Sequence, residues 1–230
     1  VPEAERRILL TCEHGGHRVP AAWRGLFAGR QALLRSHRGW DPGALAVARS
    51  LARSLGAPLV AATTTRLLVD PNRSEANPAV FSAFTRGLDR ESRRMLLARH
   101  HRPHWERVRA AIAAHPGGTL HLAVHSFTPA LRGERRDFAL GLLYDPKRRR
   151  ERELAIAWQN ELAAELGRGA VRRNAPYRGD SDGLTTALRR EHSERRYLGV
   201  ELELSQALLA HAAQRRALLR LLRRALRAVA

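Results

Sequence analysis

Residues 7–16 read Arg-Ile-Leu-Leu-Thr-Cys-Glu-His-Gly-Gly: a short apolar run that closes on two charged or titratable side chains and a glycine pair. A run of this length bounded by a turn signal is a buried strand, Arg7–Cys12, which delivers Glu13 and His14 into a loop. The same pattern recurs along the chain. Thr119–Val124 (TLHLAV) ends on His125-Ser126, and Phe138–Tyr144 (FALGLLY) ends on Asp145-Pro146. Thr65–Val69 (TRLLV) is a further apolar run ending on Asp70-Pro71-Asn72-Arg73. Pro58–Ala62 and Tyr197–Leu204 read as strands, and Ala170–Arg173 as a short extended run.

Helical patterns lie between these runs. Ala44–Leu55 follows Asp41-Pro42-Gly43, where Asp suits an N-cap and Pro the first helical position, and Gly56 closes the helix. Asp89–Ala114 is a long helical pattern expected to break or bend at Pro103. Glu151–Leu166 and the amphipathic stretch Gln206–Val229 are helical, and the polar segment 178–192 is expected to be a mobile loop over the site. Alternating strands and helices predict an α/β fold, with a mixed, mostly parallel sheet flanked by helices. One domain over residues 1–230 is expected from the length. Ligands in such sheets bind beyond the carboxyl ends of strands, which is where His14, Asp70, His125 and Asp145 fall.

Composition narrows the function classes. The chain carries 41 Lys+Arg against 22 Asp+Glu, a formal +19, and Lys147 is its single lysine. A field of that sign attracts polyanions of any sequence. Yet the arginines mix with glutamates, as in Arg148–Glu153, and do not alternate with the stacking aromatics a single-strand binder needs. No specific nucleic-acid partner is therefore expected. Cys12 is the sole cysteine, which excludes an intrachain disulfide and a cysteine-based zinc site. Val1–Leu10 is charged and there is no long apolar run, so a cytoplasmic protein without a membrane span is expected. A nucleophile elbow of the form G-x-S-x-G is absent, and Cys12 reads as a buried, inert thiol.

The remaining chemistry lies in titratable residues. His14 and His125, each following a strand, suit Zn²⁺, which takes imidazole nitrogen and carboxylate oxygen. Asp41 is a candidate third ligand, with Glu13, His17 and His37 as rivals. Three protein ligands leave a fourth position open, as catalytic zinc requires. Glu201 and Glu203 alternate in Val200–Leu204, so both face the same side of one strand, and either is a candidate general base. Two like charges there are costly unless solvated, protonated or facing a cation; the alternative is a solvated edge strand. Asn72-Arg73 suits a substrate carboxylate, Arg66 is a second anion binder, and Tyr177 is a candidate hydrogen-bond donor. The cluster His100-His101-Arg102-Pro103-His104 reads as solvated or substrate-lining and not as a metal tract.

Six segments in order carry a resemblance: CEHGGHRVP (12–20), HRGWDPGA (37–44), RLLVDPNR (66–73), HSFTP (125–129), NAPYRG (174–179) and GVELEL (199–204). Together they make the chain resemble the N-formylglutamate amidohydrolase family, related to zinc carboxypeptidases and aspartoacylases. The resemblance implies a phosphorylase/hydrolase-like α/β fold and Zn²⁺-dependent hydrolysis of N-formyl-L-glutamate to formate and L-glutamate. It implies His14, Asp41 and His125 as metal ligands, Asn72-Arg73 as the carboxylate clamp and Glu203, preferred to Glu201 by frame, as the catalytic base. Ser205 and Ala207 stand where the family usually has Arg and Asp, which puts the substrate in question. A small molecule bearing a carboxylate is the implied partner, and a monomer or small homo-oligomer is expected.

Overall fold

The computed structural model describes residues 6–131 and 133–229. Among these described residues eight strands are formed: β1 (Arg7–Cys12), β2 (Leu59–Ala61), β3 (Thr119–Phe127), β4 (Ala130–Leu131), β5 (Glu134–Arg135), β6 (Leu140–Leu143), β7 (Val171–Arg173) and β8 (Tyr197–Ser205). The α-helices are α1 (Gln31–Arg35), α2 (Ala44–Leu55), α3 (Arg90–Leu96), α4 (Arg102–Ala113), α5 (Arg149–Leu166), α6 (Leu184–Glu191), α7 (Gln206–Ala210) and α8 (Ala212–Val229). Six strands form one sheet in the order β2-β1-β3-β8-β6-β7, and β4 and β5 form a separate two-stranded ribbon. Within the six-stranded sheet, only the β6–β8 pairing is antiparallel. The expected mixed, mostly parallel α/β architecture is the one observed.

Period-two alternation sorts the two faces of this sheet. Leu10 of β1, Leu120, Leu122 and Val124 of β3, and Leu198, Val200, Leu202 and Leu204 of β8 all point to one side, where they pack with α2, α5 and α8. Burying each such leucine contributes about 1.5–3 kcal/mol. The other face carries the intervening residues. Near the strand starts, Leu9 and Tyr197 pack with Trp105, Val108 and Ile112 of α4 and with Leu184 and Leu188 of α6. Towards the strand ends, that face presents Glu13, His125, Glu201 and Glu203. A third apolar cluster, including Phe27, Leu68, Val80 and Leu96, supports the segment between β2 and α4.

Several local expectations are corrected. Glu201 and Glu203 lie on a strand flanked on both sides, by β3 and β6, not on an edge. Thr65–Val69 forms turns and not a strand; Thr65 O accepts from Leu68 N, and side chains take two further carbonyls, Leu67 O by Ser82 and Leu68 O by Thr85. Asp41 does not cap α2. Gly43, at φ +83°, occupies the cap, and its missing Cβ leaves room for Leu209. The long helical pattern breaks earlier than Pro103, in a π-helical turn at Leu97–His101. His101 and His104 are buried rather than solvated or substrate-lining. The C-terminal helix is interrupted at His211. Most of the expected mobile segment 178–192 is α6, held by the buried Arg189. Arg189 forms an ion pair with Glu151 at 2.9 Å and donates to the carbonyls of Gly179 and Gly199. Among the described residues no helix is long and apolar enough to cross a membrane.

Candidate active site

β1, β3 and β8 are adjacent and end at the same rim of the sheet. The β3–β8 register places His125 directly opposite Glu203. The turn leaving β1 carries His14, whose carbonyl accepts from Asp41 N at 2.9 Å, so the segment before α2 is tied to the same rim. His14, Asp41 and His125 are all buried, and one ligand atom from each lies within 4.8 Å of the others. They border a cavity of about 340 Å³ that Arg66, Asn72, Arg73, Tyr177, Glu201 and Glu203 also line.

Each imidazole is oriented from behind by a carboxylate. His14 Nε2 donates to Asp70 Oδ1 at 2.7 Å, which turns Nδ1 towards Asp41 Oδ2, 3.5 Å away. His125 Nδ1 lies 2.9 Å from the same Asp41 oxygen, and its Nε2 lies 3.1 Å from Glu13 Oε2. Glu13 is fully buried and is also contacted by His104 Nε2 at 3.3 Å. A carboxylate behind a histidine fixes ring orientation and raises basicity at the inward nitrogen, the usual support of metal-binding histidines. His17 packs on Trp40, and the exposed His37 lines the cavity wall; neither joins the three-residue group.

The donor set suits a divalent cation. Two imidazoles and a carboxylate are zinc-type ligands. His14 Nδ1 and Glu203 Oε2 are buried without a hydrogen-bond partner. Charge points the same way. Burial opposes charging His125, yet its contacts with Asp41 and Glu13 raise its pKa well above the usual value. Burial and Arg66 oppose charging His14, yet Asp70 and Asp41 raise its pKa too. Burial works against ionising Asp41, but the charge of His14 and hydrogen bonding with His125 keep it below the ordinary carboxylate range. The carboxylates thus concentrate a demand for positive charge where the three ligands meet. Glu203 behaves differently: burial pushes its carboxyl up to about 7, with His125 opposing and Asp41 and Glu201 adding. Cys12 is buried, and burial, with Glu13 and Asp41, raises its thiol well above the usual value, so it offers no thiolate.

The other expected site residues divide by what they touch. Arg66 donates to Asp70 Oδ2 at 2.9 Å and lies 3.5 Å from Asp41, so it braces two site carboxylates. Asn72 Oδ1 accepts from Leu184 N and thereby ties the cavity wall to the start of α6. Arg73 Nη1 donates to the Asp182 carbonyl, and its own carbonyl is held by His101 Nε2 at 2.7 Å. Tyr177 sits on the rim, half-exposed, with its hydroxyl 3.2 Å from Arg136. Gly141, opposite Glu203, has no Cβ to collide with the Ala175 carbonyl, which lets the 174–179 segment cross beside the site. Sequence reasoning missed the role of Asp70. It was visible only as a polar residue after an apolar run, and its partner His14 is 56 positions away. The supporting roles of Glu13 and His104 were equally hidden, because each depends on a contact across elements.

Known structures share this fold. The gene product Atu2144 from Agrobacterium tumefaciens is 31% identical, superposes with a TM-score of 0.82 and is aligned over 98% of this chain and 92% of its own. N-formylglutamate amidohydrolase from Ralstonia eutropha JMP134 is 21% identical, with a TM-score of 0.68 over 98% of this chain and 95% of its own. The CwlD amidase from Clostridioides difficile, solved with the GerS lipoprotein, shares the fold at 10% identity and a TM-score of 0.51, over 97% of this chain and 98% of its own. A search of curated protein sequences found no match. The family model for N-formylglutamate amidohydrolase matches residues 6–210. With most of the chain inside that match, the protein belongs to the N-formylglutamate amidohydrolase family and is an enzyme that hydrolyses amides.

Proposed function

We propose that the protein is a Zn²⁺- or other divalent-metal-dependent amidohydrolase that cleaves the amide bond of an N-acyl amino acid. The observation that carries this reading is the convergence of His14, Asp41 and His125 on one cavity, across from a Glu203 whose Oε2 is buried and unpartnered. A divalent ion held by these three residues supplies Lewis acidity to a carbonyl and acidifies water. Glu203 takes the proton of the attacking water at Oε2 and delivers it to the leaving amine nitrogen, so one carboxylate serves as base and then acid. Asp70 and Glu13 hold the two imidazoles in place for this. Arg73 anchors the substrate carboxylate through the guanidinium N–H groups that Asp182 does not occupy.

N-formyl-L-glutamate, the substrate in the family's description, is the first to assay. Zn²⁺-loaded protein is expected to release formate from N-formyl amino acids and to lose that activity on chelation. Absence of turnover with every divalent metal tried, or turnover indifferent to chelators, would count against the reading. A second reading is favoured by one observation, the carboxylate of Glu201 on the cavity wall: the acyl amino acid is one other than formylglutamate.

A further inference from the structure

We infer that Glu201 is a specificity-determining residue that selects substrates carrying a cationic side chain, an ammonium or a guanidinium. The inference rests on the amidohydrolase reading above. Glu201 is two residues from Glu203 on the same face of β8, and both line the cavity. The two carboxylates are differently placed. Glu203 belongs to the reacting end, beside His125. Glu201 is half-buried, and its Oε1 accepts a 2.5 Å hydrogen bond from Thr185 Oγ1, which fixes the carboxylate on the wall.

Among the described residues no cation forms an ion pair with Glu201, although the protein carries a formal +19; Arg189 feels its charge but is not in contact with it. Each cation nearby has another partner. Arg189, behind Thr185, pairs with Glu151; Arg66 pairs with Asp70; Arg178, on the rim, pairs with Asp180. Asp182, another carboxylate of the wall, accepts from Ser74 N and the Asn77 side chain. A half-buried carboxylate with one oxygen fixed and no cation in direct contact favours a ligand that brings positive charge and repels one that brings negative charge. Arg73 is the complement, a guanidinium on the same wall that donates to the Asp182 carbonyl and, among the described residues, forms no direct ion pair with a carboxylate. The cavity therefore presents one anion receptor and one cation receptor beside the hydrolytic centre. An N-acyl amino acid with a free α-carboxylate and a basic side chain satisfies both, whereas the second carboxylate of an acyl glutamate meets Glu201.

The test uses Zn²⁺-loaded full-length protein and N-formyl derivatives of L-lysine, L-norleucine, L-glutamine and L-glutamate. The expected order of kcat/KM is lysine first and glutamate last. Glu201→Gln keeps an acceptor for Thr185 but removes the charge. It is expected to lower kcat/KM for the lysine derivative by roughly 10–100-fold and to leave norleucine nearly unchanged. Glutamate being preferred by the wild type, or an equal loss for all four in Glu201→Gln, would overturn the inference while leaving the amidohydrolase reading in place. A binding arm is independent of turnover. Calorimetry on Glu203→Gln is expected to show tighter binding of the lysine than the glutamate derivative, a preference lost in Glu201→Gln/Glu203→Gln. That preference without turnover by any active-site-intact protein would sustain Glu201 as a cation receptor and overturn the amidohydrolase reading on which its part in substrate selection rests. Equal binding would overturn the inference.

Discussion

Glu203 sits directly across from His125 in the β3–β8 register, so the strand pairing itself places a carboxylate beside a metal-type imidazole. The two residues are 78 positions apart, and nothing local to either sets their relation. Replacing Glu203 by Gln preserves shape and removes the base. Hydrolysis is expected to fall by about 10²–10⁴-fold, with bound metal unchanged. Steady-state formate release alongside elemental analysis checks this, and wild-type turnover by the variant would refute the assignment.

Asp70→Asn tests the support behind His14. The change leaves a hydrogen-bonding side chain of the same size but removes the charge shared by His14 and Arg66. Metal affinity is expected to weaken by about 10–100-fold, measured by competition with a chromophoric chelator. Glu13→Gln is expected to act in the same direction through His125. An unchanged affinity in both would mean these carboxylates serve only the fold.

His121 provides a test of stability against pH. It is fully buried between Thr11 Oγ1 and Tyr197 OH, each at 2.7 Å, and burial pulls its pKa down to about 4. The unfolded imidazole titrates near ~6.5, so between these values the unfolded chain binds more protons. Stability from this group is thus complete above ~6.5 and lost as pH falls towards about 4, by up to about 3 kcal/mol. Urea unfolding at pH 7 and pH 5 should show a smaller stability difference for His121→Gln than for wild type. Equal differences would exclude His121 as the source.

The Glu151–Arg189 pair is almost completely buried and links α5, α6 and β8. Removing Arg189 leaves the buried Glu151 with Arg148, 3.3 Å away, and the N–H groups of Asp145 and Gly199, at a cost of up to about 3–5 kcal/mol. Arg189→Ala is therefore expected to lower the melting temperature markedly, read by calorimetry. A shift of less than a degree would show that Arg148 and the two backbone donors suffice for Glu151.

The fold was legible because its core strands are short apolar runs with a polar stop, as at Leu10–His14 and Val124–Ser126, and period-two patterning fixed which residues share a face. His14, Asp41, His125, Arg73 and Glu203 were nameable from motifs. Their partners were not. Asp70, His104 and Thr185 act through contacts made by packing between distant elements; the sequence marks Asp70 after an apolar run and His104 in a histidine cluster, but it names the partner of neither. The segment 178–192 misled for the same reason: its glycines and charges suggest a mobile loop, while the Arg189–Glu151 pair that anchors α6 spans 38 positions.

The most direct test of the central claim is the zinc content per chain of wild type, His14→Ala, His125→Ala and Glu203→Gln, each purified identically and shown to be folded. The account predicts about one ion in wild type and in Glu203→Gln, and a large loss in both histidine variants. Equal zinc in all four, or none in the active wild type, would contradict it.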